Sequence, residues 1–594
     1  GGSLHSGFYG QGGDDTATIS VGTTGTNFSA ALFDGGLGTD TITFLNTTND
    51  GVVGANITNW EKFVVDGSDI TFIDNALTLN GYTGSANGVG DFTVQNSGRA
   101  VTNTSAADFT LTGNLFLADA ASTFVSQGTG STNITGDVTN SGILSMQDGS
   151  PGGNVSIGGN YTSSGGALGI DVNFGSLQSD VVTFGGAING VTSIQIADVG
   201  SSSKPGAILI ADTTSASAID QNEFKIGKTA SGIYAYGLLY NLTGNPSIGT
   251  TPGLYLYAGG NDLQPFIPLY EAFQSVMLDM NKLPTMRQRV GKGYWVGGVI
   301  QPGSLGDEGV AQPAENTWLR IVGGFNHQDP KAAVTGYDYD LTSVEVQAGF
   351  DGLFYEGSSG RLVAGPTLRY VNGHASIDSA YGSSSINPHG YGVGGTITWY
   401  GSDGFYTDAQ AEVTWYESQL KAHDLANGVE DVDGRGYAVS MEIGQQMGGY
   451  NGMILTPQAQ LYYSAVDIDS FTGAYSDDVA FNKGESLLAR MGLALEQQSQ
   501  WLDANGTPMR GNVYAIANIY HEFLNETTAV VEQSFALTSQ VAPWTGEIGF
   551  GGTYGWDADG QSYALYGEAR ASTGLDNFAS AYGYAANGGV KIRW

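Results

Sequence analysis

One segment in the first 260 positions resembles a metal-binding motif. The segment GGLGTDTIT, from Gly35 to Thr43, matches a calcium-binding repeat in which Asp40 would be the acidic ligand. Such repeats hold each ion between consecutive turns, and the nearest partner is the imperfect GGDDTATI, from Gly12 to Ile19. We therefore expect a glycine-rich turn in which Asp40 bonds its own backbone, with calcium binding as the alternative.

Residues for catalysis are scarcer still. The same region has one histidine, His5, and the chain has no cysteine, so a Ser-His-Asp or Cys-His site would depend on a residue at the chain start. Asp14 and Asp15 are adjacent, and neighbouring side chains on a strand point to opposite faces, which separates the carboxylates that a glycosidase needs. We expect no enzyme activity, no cofactor and no metal.

Charge and composition narrow the class of protein. A net charge of -36 argues against a nucleic-acid partner, because binding phosphates requires Lys and Arg. The 92 glycines and 15 prolines among 594 residues favour many short strands and tight turns. No apolar run is long enough for a membrane-spanning helix, and no signal sequence stands at Gly1, so we expect a mature or N-terminally truncated chain.

The first part of the chain has the pattern of a stacked β-structure. Short alternating strands recur every 15 to 25 residues, as in Thr41 to Leu45 and Val155 to Tyr161. This spacing predicts a right-handed parallel β-helix over residues 1–165, with a β-sandwich as the alternative. Longer strands over residues 166–262 predict a region that caps its open end.

One helix is predicted over residues 263–292. It opens at Pro268 and ends before Pro284, and a run of basic residues follows its apolar stretch. These basic residues are Lys282, Arg287, Arg289 and Lys292.

Residues 293–594 alternate with period two in segments of about ten residues, which is typical of a transmembrane β-barrel. We count about twelve segments, with aromatic residues gathered at their ends. One face of each segment is apolar and the other polar, as in Ser343 to Phe354. The predicted inward face carries Glu345, Asp351, Asp408, Glu412 and Glu442. The last segment ends with Val590, Ile592 and the terminal Trp594 on one face.

The helix and the barrel are expected to interact. A twelve-stranded barrel encloses room for about one helix. The basic residues after the helix oppose the acidic inward face, and opposite charges attract strongly in a confined space. We therefore expect the helix to plug the pore.

The order of these regions resembles the monomeric autotransporters of type V secretion, close to the pertactin-like group. The segments WLRIVGGFNHQD, GFYTDAQAEVTWYESQL, MILTPQAQLYY and the closing KIRW are similar to the family's translocator barrel, and SDVVTFGGAINGVTSIQI with GIYAYGLLY is similar to its autochaperone segment. The resemblance implies an all-β protein in the outer membrane of a Gram-negative bacterium that exports its own passenger to the cell surface. It also implies contacts with outer-membrane lipid, the barrel assembly machinery that reads the terminal aromatic, periplasmic chaperones, and a host or cell-surface ligand of the passenger.

Some family members cleave themselves inside the pore at an Asn-Asn step. The corresponding segment here reads LDMNKLP, with Leu278 and Asp279 in place of the asparagine pair and a single Asn281. We therefore expect the passenger to stay attached and to act as an adhesin or a passive stalk. The alternatives are an enzymatic or calcium-binding passenger, or a porin-like channel.

Overall fold

A computed structural model describes residues 7–20, 31–217, 219–227, 229–291, 315–423, 429–448, 453–473, 475, 477–482, 484–504, 506–558, 561–578 and 580–593. The chain forms two compact units, Gly1–Gln264 and Pro265–Trp594. We call the first unit the stem. Both units are built from strands, as the sequence predicts.

The stem is a parallel β-helix, which confirms the predicted architecture. Consecutive coils place one strand on each of three main sheets, and partners pair in parallel. The first sheet contains Thr16–Ile19, Thr41–Leu45, Lys62–Asp66, Asp91–Gln95, Asn114–Leu117, Val138–Asn140, Tyr161–Ser163 and Ile188–Asn189. The second contains Thr48–Val52, Asp69–Phe72, Arg99–Asn103, Thr123–Gln127, Ile143–Ser145, Ala167–Asn173, Gln178–Ser179, Thr192–Asp198 and Phe224–Ile226.

The third sheet ends in antiparallel strands. It contains Ala76–Thr78, Phe109–Thr112, Ser131–Ile134, Asn154–Ile157, Val181–Phe184, Gly206–Asp212, Thr229–Ser231, Tyr234–Asn241 and Gly253–Ala258. Pairing changes from parallel to antiparallel where Gly206–Asp212 meets Gly253–Ala258. A small sheet of Phe8–Tyr9, Phe33–Asp34 and Ile57–Thr58 and two 3-10 turns, Gly54–Asn56 and Ala86–Gly88, complete the stem. The division at residue 165 and the capping role of residues 166–262 remain predictions.

The stem core is a column of apolar side chains that runs from coil to coil. Strands alternate buried and half-buried positions, so every second side chain points inward. Phe63 is fully buried, with its ring centroid 5.4 Å from that of Phe44 and 4.9 Å from that of Phe92. Each coil therefore buries its apolar face only against its neighbours.

Asn and Asp side chains link successive coils at a second column. Asn114 donates to Asp91 at 3.0 Å and accepts from the Asp137 N–H, 23 residues later, at 2.9 Å. The Asn160 N–H donates to Asp137, again 23 residues away, at 2.6 Å. This spacing is the length of one coil in this part of the stem.

The second unit is a closed barrel of twelve long antiparallel strands, as predicted. Strand β1 pairs with both β2 and β12, and β6 pairs with β7, which closes the sheet. The strands are β1 (Asn316–Gln328), β2 (Asp338–Gly357), β3 (Gly360–Ser379), β4 (Gly382–Gly401), β5 (Phe405–Ala422), β6 (Val429–Gln445), β7 (Met453–Ile468), β8 (Gly484–Leu502), β9 (Pro508–Glu522), β10 (Trp544–Ala558), β11 (Gln561–Gly574) and β12 (Ala581–Arg593). The two-residue strand Met447–Gly448 also pairs with β7.

The barrel carries its apolar residues outside. Phe550 is 64% exposed and Met491 is 70% exposed, whereas Asp408 and Glu442 are fully buried in the lumen. This reversal of inside and outside suits a wall whose outer solvent is lipid.

The described residues of the second unit form two helices, α1 (Ile267–Met280) and α2 (Met286–Val290). Among the described residues, no helix is long and apolar enough to cross a membrane. The sequence predicted a single helix, but α1 ends at Met280, before Pro284, whose ring cannot continue a helix. A capping box then starts α2: the Gln288 N–H donates to the Thr285 hydroxyl, and the Thr285 N–H donates to the Gln288 side chain.

A small antiparallel sheet, which we call the collar, stands at one mouth of the barrel. It is built from loop segments between barrel strands. Its strands are Ala332–Ala333, Phe471–Thr472, Asp478–Phe481, Glu526–Val531 and Phe535–Gln540. The opposite end of the barrel is where β1 begins and β12 ends.

Candidate functional site

The first half of α1 is fastened to the collar. The Glu271 carboxylate, which is buried, accepts hydrogen bonds from the Val334 N–H at 2.6 Å, the Thr335 N–H at 2.9 Å and the Thr335 hydroxyl at 2.6 Å. The Gln274 side chain donates to the Asn482 carbonyl and accepts from the Thr528 N–H at 3.1 Å. These contacts hold the helix at the mouth through polar groups that are shielded from water.

Aromatic side chains complete the collar contact. Tyr270 meets Phe471 edge to face with centroids 5.6 Å apart, and Phe273 meets Phe481 in the same way at 5.6 Å. Edge-to-face pairs of this kind add stabilisation beyond the area they bury.

The second half of α1 lies deeper in the lumen. Asp279 accepts from the Tyr339 hydroxyl at 2.7 Å and from the Asn326 side chain at 2.6 Å, and it also pairs with Lys282 at 2.6 Å. Asn281 donates to Ser464 at 2.8 Å. The last turn of the helix is therefore tied to several barrel strands at once.

Two wall glycines leave room for this turn. A side chain on Gly436 would come within 2.2 Å of the Asn281 Oδ1, and one on Gly373 within 2.8 Å of the Met280 sulfur. The wall and the helix turn are therefore complementary in shape.

Helix α2 carries the central ion pair of the lumen. The Arg289 Nη2 lies 2.5 Å from Asp408 Oδ1 and its Nη1 lies 3.8 Å from Asp351 Oδ1. The guanidinium also stands over the Trp318 ring, 5.7 Å from its centroid. All four side chains are buried. A charge pair this far from water is stable only because each member compensates the other.

Arg287 makes a second buried pair beside the first. Its Nη2 lies 2.5 Å from Glu496 Oε1, and its guanidinium is 4.5 Å from the centroid of the Tyr514 ring. On the next residue, the Gln288 side chain donates to Glu568 at 2.8 Å. One turn of helix thus contacts strands on opposite sides of the barrel.

The remaining acidic residues of the lumen are neutralised by arginines of the wall. Glu345 pairs with Arg320 and, at 2.8 Å, with Arg369, which also lies 3.1 Å from Glu412. Glu442 pairs with Arg490 at 3.2 Å and accepts a hydrogen bond from the Met286 N–H, at the start of α2, at 3.0 Å. The carboxylate therefore also faces the positive end of a short helix.

Comparison with known proteins decides what this plugged barrel is. Residues 317–568 match the family model described as "Autotransporter beta-domain". The "Adhesin BmaC autotransporter" of Brucella suis biovar 1 (strain 1330) is 32% identical over 557 residues, which cover 86% of this chain and 16% of that protein. The barrel belongs to the autotransporter β-domain family.

Two further proteins are similar to parts of this chain. The pertactin autotransporter of Bordetella parapertussis is 27% identical over 198 residues, covering 33% of this chain and 20% of its own. The transport unit of the autotransporter AIDA-I from Escherichia coli matches 55% of this chain and 98% of its own with 17% identity and a TM-score of 0.42. The chain thus spans at most a fifth of the length of the two curated relatives named here. The barrel is an outer-membrane barrel.

The structure brings together some of the autotransporter's predicted lumen residues and not others. Arg289 meets Asp408 and Asp351, as the charge pattern suggested, whereas Lys282 pairs within its own turn with Asp279. Lys292 and Trp594 lie outside the described residues. Val590 and Ile592 stand in β12, paired on one side with Leu319 and Thr317 of β1.

Several lumen residues were missed by the sequence interpretation. They are Glu496, Glu568, Arg320, Arg369 and Arg490. The alternation of strand residues could have identified them. Leu493 and Leu495 face outward, so Glu496, one position further along, must face the lumen. Which inward carboxylate meets which cation depends on strand register, which a single segment does not reveal.

The candidate calcium ligand has a structural contact in the stem. Asp40 is buried and accepts from the Asp15 N–H, 25 residues earlier, at 2.6 Å, where the sequence had suggested a bond to its own turn. Its own N–H donates to Glu61 at 2.7 Å, and burial raises the pKa of Glu61. Within the described ranges, no group of three or more His, Cys, Asp or Glu residues is placed to hold a metal ion.

Proposed function

We propose that the barrel exports the stem through the outer membrane, keeps it attached at the cell surface, and is then closed by α1 and α2. The observation that carries this proposal is the match between plug and lumen. The cations of α2 are buried against carboxylates of β5 and β8, through Arg289 with Asp408 and Arg287 with Glu496. A wall built only as an open channel would have no use for buried acids whose cations come from a helix in the lumen.

The direction of the chain follows from the same geometry. The collar holds the start of α1, and the chain descends through α2 before it joins the wall at β1. The second unit therefore begins at the mouth with the collar, and we propose that this mouth faces the exterior. We propose that the barrel assembly machinery and periplasmic chaperones assist this export.

Adhesion is the role that we propose for the stem. The relative that aligns with 86% of this chain is named an adhesin, and neither relative described above is named as an enzyme. Many stem aspartates are occupied in contacts between coils, as Asp74 is with the N–H groups of Gly54 and Ala55. We therefore assign the stem's binding capacity to its exposed polar faces and not to a metal or catalytic centre.

The stem is proposed to stay attached because Asn281 is immobilised. Self-cleavage at an asparagine requires its side-chain nitrogen to turn onto its own carbonyl carbon. Here that nitrogen donates to Ser464 at 2.8 Å and to the Tyr437 carbonyl at 3.2 Å, and the Asn281 carbonyl accepts from the Tyr462 hydroxyl at 2.8 Å. Both reacting groups are held by the wall.

The test uses cells that display the full chain. Native membranes should yield one band on a denaturing gel that contains both the stem and the barrel. The cells should adhere to host cells or to one another, and external protease should remove both the stem and the adhesion while leaving the barrel. A barrel fragment that begins near Asn281 without added protease contradicts attachment. Adhesion that survives complete removal of the stem contradicts the adhesin role.

A further inference from the structure

The C-terminal ends of the two lumen helices and the turn between them expose main-chain carbonyl groups that have no partner within the helices. Five of them, within ten residues, each accept a hydrogen bond from a side chain of the barrel wall. The Met280 carbonyl accepts from the side chains of Arg369 at 2.6 Å and Tyr416 at 3.2 Å. The Asn281 carbonyl accepts from Tyr462 at 2.8 Å, and the Pro284 carbonyl from Gln410 at 2.9 Å. In α2, the Gln288 carbonyl accepts from Asn587 at 3.4 Å, and the Arg289 carbonyl from Tyr566 at 2.5 Å.

These donors surround the plug. They come from β3, β5, β7, β11 and β12, and all of them are buried in the lumen. Except for Arg369, they are uncharged hydroxyl and amide groups. The wall therefore offers donors to a main chain from several directions at once.

These hydrogen bonds do not depend on which side chain the bonded residue carries. The bonded carbonyls belong to residues as different as Met280, Pro284 and Arg289. Every residue type has a main-chain carbonyl, whereas proline lacks the N–H. A wall of donors can thus bind any sequence, which a wall of acceptors cannot.

The lumen has more donors than the plug uses. Among the described residues, the Trp318 Nε1, the Gln458 Nε2 and the Arg369 Nε are buried and have no hydrogen-bond partner. Beside the plug lies a cavity of about 360 Å³ whose lining includes the donors of Arg320, Arg369 and Tyr462 and the carboxylates of Asp279, Glu345 and Glu547. Buried donors without acceptors are uncommon in native proteins, and their presence here indicates a site that another occupant also uses.

We propose that these inward-facing donors form a sequence-independent binding site for the main chain of an extended polypeptide, namely the stem during its export. The inference rests on the proposed export function. The site lets each passing segment exchange hydrogen bonds with water for hydrogen bonds with the wall. The residues before α2 occupy the same site once export is complete.

The test removes three hydroxyl groups from the full chain with the substitutions Tyr416→Phe, Tyr462→Phe and Tyr566→Phe. The rings and their packing remain. The control replaces three outward-facing tyrosines, Tyr370→Phe, Tyr391→Phe and Tyr584→Phe, which are 39%, 62% and 60% exposed on the barrel's outer face. Pulse-labelled cells are sampled for the time at which the stem becomes sensitive to external protease, and barrel folding is followed separately by its gel mobility before and after heating.

We expect export of the lumen variant to be slower by about threefold to tenfold, the loss that corresponds to one or two net hydrogen bonds, while its barrel folds at the wild-type rate. The control should match wild type in both measurements. Unchanged export of the lumen variant would overturn the inference, even if its plug became leaky to ions, because the hydroxyls would then serve only the finished plug. If the wild-type stem never reaches the surface, the proposed function itself fails.

Discussion

The stem and the barrel use the same alternating strand in opposite ways. In the stem, Phe63 points into a dry core and is fully buried; in the barrel, Phe550 points outward and is 64% exposed. Period-two alternation therefore indicates a two-faced strand but does not say which face is inside. The solvent on the far side, water or lipid, decides that.

The two regions also stabilise buried carboxylates differently. In the stem, Asp171 accepts from the N–H groups of Asp148, Gly149 and Ser150 at 2.8, 2.6 and 3.0 Å, so main-chain dipoles compensate its charge. In the barrel, Asp408 faces the guanidinium of Arg289. The stem can use its turns because each coil presents free N–H groups to the next, whereas the N–H groups of the barrel are committed to its sheet.

The largest effect is expected from breaking a barrel ion pair. The substitution Arg289→Ala leaves Asp408 and Asp351 buried without their cation, which costs about 3 to 5 kcal/mol. We expect α2 to leave its seat and the lumen to open. Single-channel recordings of the full chain in planar bilayers should show a large stable current for the variant and none for wild type.

The matched control is Arg361→Ala, which breaks a partly exposed pair with Glu356 at 2.6 Å. An exposed pair contributes about 0 to 1 kcal/mol, so this variant should conduct like wild type. A large current from the wild-type chain would favour the porin-like alternative. Equal currents from both variants would show that the buried pair does not hold the plug.

The second effect compares one residue type in the two regions. Phe63→Ala removes a ring that packs against Phe44, Phe72 and Phe92 and leaves a cavity, which should destabilise the stem by about 3 to 4 kcal/mol. Phe550→Ala removes an equal ring from the lipid face, where acyl chains fill the space, so only the transfer term of about 1 to 2 kcal/mol is lost.

Urea titrations measure the two losses separately. Stem unfolding is followed by external protease on intact cells, and barrel unfolding by gel mobility in liposomes. Equal losses at the two positions would contradict the reversal of inside and outside that distinguishes the regions.

Much of this architecture is visible in the sequence because strand alternation is a local property. The twelve barrel segments and the coils of the stem follow from periods of two residues and from regular turns. The end of α1 before Pro284 was predicted, but α2 was missed, because its start depends on the capping box of Thr285 and Gln288 just after the proline.

The site was less visible because its contacts join residues far apart in the chain. Arg289 and Asp408 are 119 residues apart, and Arg287 and Glu496 are 209 apart. The sequence pattern predicted that Arg289 and Asp408 both lie in the lumen. Which strand faces which side of α2 is determined only when the barrel closes. The pairing of Lys282 with its neighbour Asp279 is, by contrast, an ordinary three-residue helical spacing.

The smallest expected effect is a pH dependence of the stability of the stem. Burial raises the pKa of Asp180 in the stem to about 7, although it accepts from the N–H groups of Gly152, Gly153 and Asp171. The nearby Asp171 acts in the same direction. Between the ordinary pKa of an aspartate and about pH 7, Asp180 is therefore protonated in the folded stem and ionised in the unfolded chain.

When the pKa of a carboxyl group is higher in the folded state than in the unfolded state, the folded state loses stability as the pH rises from the unfolded pKa through the folded pKa. Between about pH 6 and about pH 8 the stem should lose about 1 kcal/mol, seen as a lower urea midpoint in the protease assay. Asp180→Asn should flatten this dependence. Asp119→Asn should preserve it, since the hydrogen bonds that Asp119 accepts lower its pKa, and it stays ionised throughout this range. A stem whose midpoint stays constant over the same interval would show that Asp180 is already ionised in the fold, compensated by its N–H donors.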